Sequence, residues 1–296
     1  ELVENGFDAD GQPNFDRDAT NTNEDGVQEF IVRLAPKIVE FSATQPIQAG
    51  QVVSGDSEGR VYPTPLAPAG QTTADLDHLS ETVTRTVTYV TENEDGSNHQ
   101  PAGIADQTDS LHFTRKGTIN LVTGETSLED WTAQDGTSFA ALENPVKKGY
   151  VVVAEESTDV ASSDLTKAGE HTGIHADAAD ITDTVIYRPV GAYRISYATG
   201  KEPAHAQKEI TYLNDPTNPT AIASPTATLP YVEGLEPKDA RGQVLNLVDP
   251  LDETKGYLLP SPESPTADTA ISYAITKGSV RVRFLTEGGD TDLQEA

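Results

Sequence analysis

The chain has 296 residues, 35% of them hydrophobic and 6% aromatic, with 19 prolines and 23 glycines. Such a chain builds small cores in about two domains, not one large core. Its 48 acidic and 20 basic residues leave a formal net charge of −28, which excludes nucleic acid and anionic membrane surfaces as partners, because both need a basic footprint. It has no cysteine, so disulfide and thiol chemistry are absent.

Residues 1–35 read as the end of a module. The polar run Asp16 to Gly26 leads into Gln28-Glu29-Phe30-Ile31-Val32-Arg33-Leu34, where Phe30, Val32 and Leu34 alternate on one face as in a closing strand. Residues 36–80 carry Pro46, Pro63, Pro65 and Pro68, with little periodicity after Val39 and Phe41. That pattern predicts a semi-stiff connector.

Residues 81–187 hold the densest signal. In Thr82-Val83-Thr84-Arg85-Thr86-Val87-Thr88-Tyr89-Val90, the residues Val83, Val87 and Tyr89 share one face at a period of two, and threonines fill the other. This is a half-buried strand. The turn cluster Asn93 to Asn98 separates it from a second strand, Ser110 to Arg115, which Ile119, Leu121 and Val122 extend to the turn Thr123-Gly124. Leu128 and Trp131 follow, then a short expected helix from Phe139 to Glu143, stopped by Asn144-Pro145. The run Lys148-Gly149-Tyr150-Val151-Val152-Val153 comes next. After an acidic excursion from Glu155 to Asp180, Thr182 to Tyr187 restores strand character.

Residues 188–276 contain an echo of that ending. Lys148-Gly149-Tyr150 leads to Asp183-Thr184-Val185-Ile186-Tyr187, and Lys255-Gly256-Tyr257 leads to Asp268-Thr269-Ala270-Ile271-Ser272-Tyr273. Eleven prolines from Pro189 to Pro265 forbid long central strands or helices, so a small Pro-rich β module is expected. In 277–296, the alternation Ser279-Val280-Arg281-Val282-Arg283-Phe284-Leu285 reads as the first strand of a further module.

The order of these pieces resembles the mucus-binding (Mub/MucBP-type) repeat of lactobacillal cell-surface adhesins. The pieces are Thr-Val-Thr-Arg-Thr-Val-Thr-Tyr, Phe-Thr-Arg, Val-Thr-Gly-Glu, a lone Trp131, and Asn-Pro before Lys-Gly-Tyr. No piece is specific alone; the order of all of them is. The resemblance implies a β-rich α+β fold of ubiquitin-like β-grasp modules, each a small mixed sheet crossed by one helix, joined by Pro-rich extended connectors into an elongated rod. It implies adhesion to host mucin glycoproteins and, in some members, to immunoglobulins, by a monomeric repeat within a tandem array. It places the protein at the bacterial cell surface, secreted and anchored to the wall through a region outside this segment. The start at Glu1-Leu2-Val3 and the lack of an apolar run near 18 residues fit a piece of such a longer protein, with no membrane insertion of its own. A pure spacer role fits the same composition.

Candidate sites are few. Trp131, the one tryptophan, is the ligand-binding candidate if exposed, because an indole stacks on a sugar ring. Its place in the pattern beside Leu128 favours a core anchor. Asp8, Asp10 and Asp16, around Gly11, resemble part of a calcium loop, but the position for its terminal Glu falls on Arg17. His171 and His175, flanked by Glu170 and Asp177, would share a face only on a helix, and Gly173 argues for a loop. The expected cofactor is none, with Ca2+ the one ion the acidic turns could take. No Gly-x-Ser-x-Gly elbow or phosphate loop occurs, and paired carboxylates carry no information in so acidic a chain, so no enzyme is expected.

Overall fold

A computed structural model describes residues 2–4, 33–93 and 95–276. In chain order the longer strands are β1 (Ile38–Phe41), β2 (Ser80–Thr91), β3 (Gln107–Thr114), β4 (Gly117–Asn120), β5 (Thr126–Leu128), β6 (Tyr150–Ser157), β7 (Ile181–Pro189), β8 (Ala192–Tyr197), β9 (Glu209–Thr211), β10 (Leu235–Lys238) and β11 (Thr269–Ile275). The helices among the described residues are two 3-10 turns, Thr73–Leu76 and Glu253–Lys255. The described fold is therefore β-rich, and the helix expected at Phe139 to Glu143 is replaced by two short strands. Ser138–Phe139 pairs with His171–Thr172, and Leu142–Glu143 pairs with Lys167–Ala168. Five residues cannot close enough helical hydrogen bonds to offset nucleation, whereas a waiting strand satisfies each backbone group at once. Of the first expected strand, Arg33–Leu34 pairs antiparallel with Leu2–Glu4. Residues 5–32 and the alternating run 279–285 lie outside the described residues.

The chain divides into two compact units. The first comprises 1–85, 108–139 and 171–181. In it, β1, β4 and β5 form an antiparallel sheet in the order β1–β4–β5. Phe41 of β1 and Ile119 of β4 are fully buried, and Ile47, Val53, Tyr62, Leu76 and Leu79 close around them. The segment expected as a connector, 36–80, thus supplies most of a core. Its apolar residues sit in coil at irregular spacing, so no period of 2 or 3.6 announces them. Backbone hydrogen bonds stitch this coil to the sheet: Leu66 N–H donates to the Gly124 carbonyl at 2.8 Å, and Thr126 N–H donates to the Leu66 carbonyl at 3.2 Å. Asp56 locks the turn before it, accepting from the Arg60 backbone N–H at 2.8 Å and from Lys37 Nζ at 3.2 Å. The Arg60 guanidinium, the largest influence, together with that N–H holds the Asp56 carboxyl well below the usual carboxylate range. A second cluster in this unit joins Val83 of β2 and Leu111 and Phe113 of β3 to Phe139, Ile174 and Ile181.

The second unit comprises 86–107, 140–170 and 182–296. Here β6 pairs antiparallel with β7, from Tyr150↔Pro189 to Ser157↔Asp183, with a bulge between Val152 and Ala154. Contacts Thr88–Thr184 and Glu92–Arg188 keep one offset of 96 residues, so β7 runs parallel to the second half of β2. Val87, Tyr89, Val152, Val185 and Tyr187 form the core beneath. A further sheet has the order β9–β8–β11–β10, with β8 and β11 parallel and the outer pairs antiparallel. Pro237 sits in the edge strand β10, where a missing N–H costs no ladder bond.

A proline-rich module leaves many coil carbonyls without backbone partners, and buried tyrosines take them. Tyr187 Oη donates to the Pro145 carbonyl (2.6 Å), Tyr193 to Pro260 (2.7 Å) and Tyr273 to Pro230 (2.6 Å). Tyr187 and Tyr273 are the closing tyrosines of the two copies of the sequence echo, and each lies on a strand parallel to an earlier one. Burial pushes the Tyr193 phenol up to about 12 and raises those of Tyr187 and Tyr273 as well. These folded values lie above the unfolded value near 10. The stability they contribute is therefore intact below about pH 10 and is lost as pH rises toward and past 12. Ultraviolet titration is expected to separate a late-ionising class of tyrosines, whose ionisation coincides with loss of near-UV circular dichroism. A single transition near pH 10 for all ten tyrosines, with the fold intact, would contradict this packing.

Candidate binding sites

The alternation of β2 continues through residue 85, so Arg85 shares the buried face with Val83 and Val87 and is 1% exposed. It is a structural cation of the interior. The partly buried Trp131 stands at the edge of the Val83–Leu111–Phe113 cluster, whereas Leu128 packs against the Phe41–Ile119 cluster. The expected pairing of Trp131 with Leu128 in one core therefore does not form. The Arg115 guanidinium lies over the indole at 4.5 Å, and the His78 ring meets it edge-on at 5.6 Å. Arg115 is itself fixed by donating to the His78 and Asp75 carbonyls, both at 2.9 Å. One face of Trp131 is thus occupied by a cation–π contact, and a sugar could stack there only by displacing Arg115.

His171 and His175 part company: His171 is a strand residue 1% exposed, and His175 faces outward. Among the described residues no three His, Asp or Glu side chains gather closely enough to hold a metal. Asp8, Asp10 and Asp16 lie outside the described residues. Among the described residues, two buried side-chain oxygens lack hydrogen-bond partners, Asn144 Oδ1 and Glu155 Oε2. The other Glu155 oxygen accepts from Gly169 N–H at 3.1 Å.

Two adjoining concave surfaces lie in the second unit, in the Pro-rich stretch. An apolar cavity of about 160 Å³ is walled by Tyr193, Ile210, Tyr212, Leu259 and Pro262. A neighbouring cavity of about 310 Å³ shares Ile222 to Pro225 and Pro262 with it, and adds the hydroxyls of Thr220, Ser261 and Ser264 and the carboxylate of Glu263. Arg241 holds that carboxylate at 2.7 Å. The sequence reading missed these surfaces, because 220–227 and 260–265 look like linker. The available signal was the pairing of two Ser/Thr/Pro runs with Tyr193 and Tyr212, which meet edge-to-face at 5.0 Å. Among the described residues no helix is long and apolar enough to cross a membrane.

Residues 74–191 match the model of the Muc B2-like domain family. Among solved structures, the mucin-binding domain of Spr1345 from Streptococcus pneumoniae is 20% identical, with a TM-score of 0.29, over 38% of this chain and 92% of that one. The Mub-RV structure is 30% identical, with a TM-score of 0.26, over 37% of this chain and 53% of that one. A type 2 repeat of the mucus binding protein MUB from Lactobacillus reuteri is 19% identical, with a TM-score of 0.28, over 64% of this chain and 74% of that one. No curated protein matches the chain.

Proposed function

We propose that this chain, which carries a Muc B2-like domain over residues 74–191, is a repeat segment of a bacterial cell-surface adhesin that binds the glycans of host mucin glycoproteins. The family match carries the reading. It covers the same stretch whose strand order resembles the mucus-binding repeat. The family is one of mucin-binding adhesin domains and not of enzymes. The modules are built on mixed sheets, with β8 and β11 paired in parallel in one and β2 and β7 in the other; these parallel pairs are the part of a β-grasp arrangement that the described residues carry, without the helix that would cross it. The parent protein is anchored to the cell wall elsewhere, and copying of weak modules raises avidity through effective concentration.

The charge of −28 restricts which glycans can serve. Sialylated and sulfated chains are repelled at long range, so binding uses neutral sugar, or cations that bridge the two acidic partners. The test is retention of the purified segment on immobilised mucin, before and after glycosidase treatment, in calcium and in chelator. Retention is expected to fall when the glycans are removed and to hold or rise when only sialic acid is removed. Retention unaffected by complete deglycosylation would replace the glycan with a protein ligand such as immunoglobulin. No retention in any condition would make the segment a spacer.

A further inference from the structure

The geometry points to a subsite for the acetamido group of a neutral N-acetylhexosamine in the paired cavities between Tyr193 and Pro262. The inference rests on the glycan-binding reading and gives it a place and a sugar class.

The first cavity is lined without a single Lys, Arg, Asp or Glu, in a chain where nearly a quarter of residues are charged. Its two aromatic walls present ring carbon, because their hydroxyls are already committed. Tyr193 Oη donates to the Pro260 carbonyl at 2.7 Å, and Tyr212 Oη donates to the Ala267 carbonyl at 3.0 Å. At about 160 Å³ it has room for an acetyl methyl against the ring and aliphatic carbon of its walls. It therefore favours an apolar group such as a methyl over water. At its rim the hydroxyls of Ser224 and Thr226 are uncommitted among the described residues, within reach of an amide.

The second cavity is the chemical complement. It opens from the same wall, Ile222 to Pro225 and Pro262, and offers the Ser261 hydroxyl to a sugar, whereas Thr220 Oγ1 already donates to Asn218 Oδ1 at 2.8 Å and Ser264 Oγ meets Thr266 Oγ1 at 3.3 Å. One compartment for a methyl group beside one for hydroxyls matches an acetamido sugar, in which an apolar CH3 hangs from a polar ring. No Lys or Arg lines either cavity, and the one carboxylate of the second, Glu263, is paired with Arg241 at 2.7 Å, so an anionic sugar would find a counter-charge only by drawing Arg241 away from Glu263. A plain hexose would leave the apolar compartment unfilled. An extra apolar group in such a pocket is worth about ten-fold or more in affinity.

The experiment titrates the segment with N-acetylglucosamine, N-acetylgalactosamine, glucose and galactose, following ¹H–¹⁵N shifts and saturation transfer to the acetyl methyl. The two acetamido sugars are expected to bind about ten-fold or more tightly than their plain counterparts, with shifts confined to residues around Tyr193, Ala223 and Pro262. Filling the cavity from its exposed rim with Ala227→Phe is expected to abolish those shifts and to weaken retention on mucin, with the circular dichroism unchanged. Equal binding of all four sugars, or none, overturns the subsite, and the wild-type titration decides this even if the variant fails to fold. If mucin is retained while acetamido sugars give no shifts, the subsite falls and the adhesin reading stands. If the sugars bind in the cavity while mucin is not retained, the subsite stands and the adhesin reading falls. If Ala227→Phe abolishes retention only on deglycosylated mucin, the occupant is an apolar protein side chain and the inference is overturned.

Discussion

Phe41→Ala is expected to destabilise the first unit by about 3–5 kcal/mol, the range for deleting a buried aromatic ring. Phe41 is 1% exposed and packs with Ile47, Val53, Tyr62, Leu79 and Ile119. Its ring fills the space in front of Gly117, where a Cβ would come within 2.3 Å of Phe41 Cζ. The neighbours are held by the β1–β4 ladder from Ile38↔Asn120 to Phe41↔Gly117, so the cavity cannot collapse cheaply. Trp131, the one tryptophan, lies in the same unit, so its fluorescence in a urea titration reads the loss directly. Val122→Ala, at a side chain 75% exposed, is the control and should change stability by less than about 0.5 kcal/mol. If residues 36–80 were only a connector, the two substitutions would behave alike.

The second large effect contrasts the two glycines of the Lys-Gly-Tyr echo. Gly256 has φ 90° and ψ −162°, a region that essentially only glycine enters. A Cβ there would also stand 2.2 Å from the Leu229 carbonyl oxygen, which belongs to backbone and cannot swing aside. Gly256→Ala is therefore expected to cost about 2–5 kcal/mol from strain and overpacking together. Gly149 has φ 79° but nothing within 4 Å of the added carbon, so Gly149→Ala bears only the left-handed penalty of about 1–2 kcal/mol. Calorimetry of both variants, with amide exchange at Tyr257–Leu258 as the local probe, measures the difference. Equal losses would mean that the close approach of Gly256 to Leu229 does not exist.

The echo shows how far local sequence carries. It located two of the tyrosines that anchor proline carbonyls, Tyr187 and Tyr273, and two glycines with positive φ, Gly149 and Gly256. It did not show that one glycine sits in open space and the other against backbone, because that depends on Leu229, 27 residues away in the chain. Similarly, the period of two in β2 placed Val83, Val87 and Tyr89 on the buried face. By the same parity it placed Arg85 there too, which the eye passes over because the residue is charged. The calcium-like turn at Asp8, Asp10 and Asp16 stands outside the described residues and remains a proposal for the chelator arm of the mucin experiment.

The sequence by itself determined the β-rich character, the positions of the strong strands, the strongly acidic charge, and the family resemblance of the central module. These rest on interactions between residues near one another in the chain, or on sums over the whole of it. Only the tertiary structure decided that 36–80 is core, that Phe139 and Leu142 lie in strands, that Trp131 is capped by Arg115, and that two proline-rich runs enclose a charge-free cavity. Each of these depends on partners brought together across tens of residues, and coil that packs by shape carries no periodic trace of the surface it will meet.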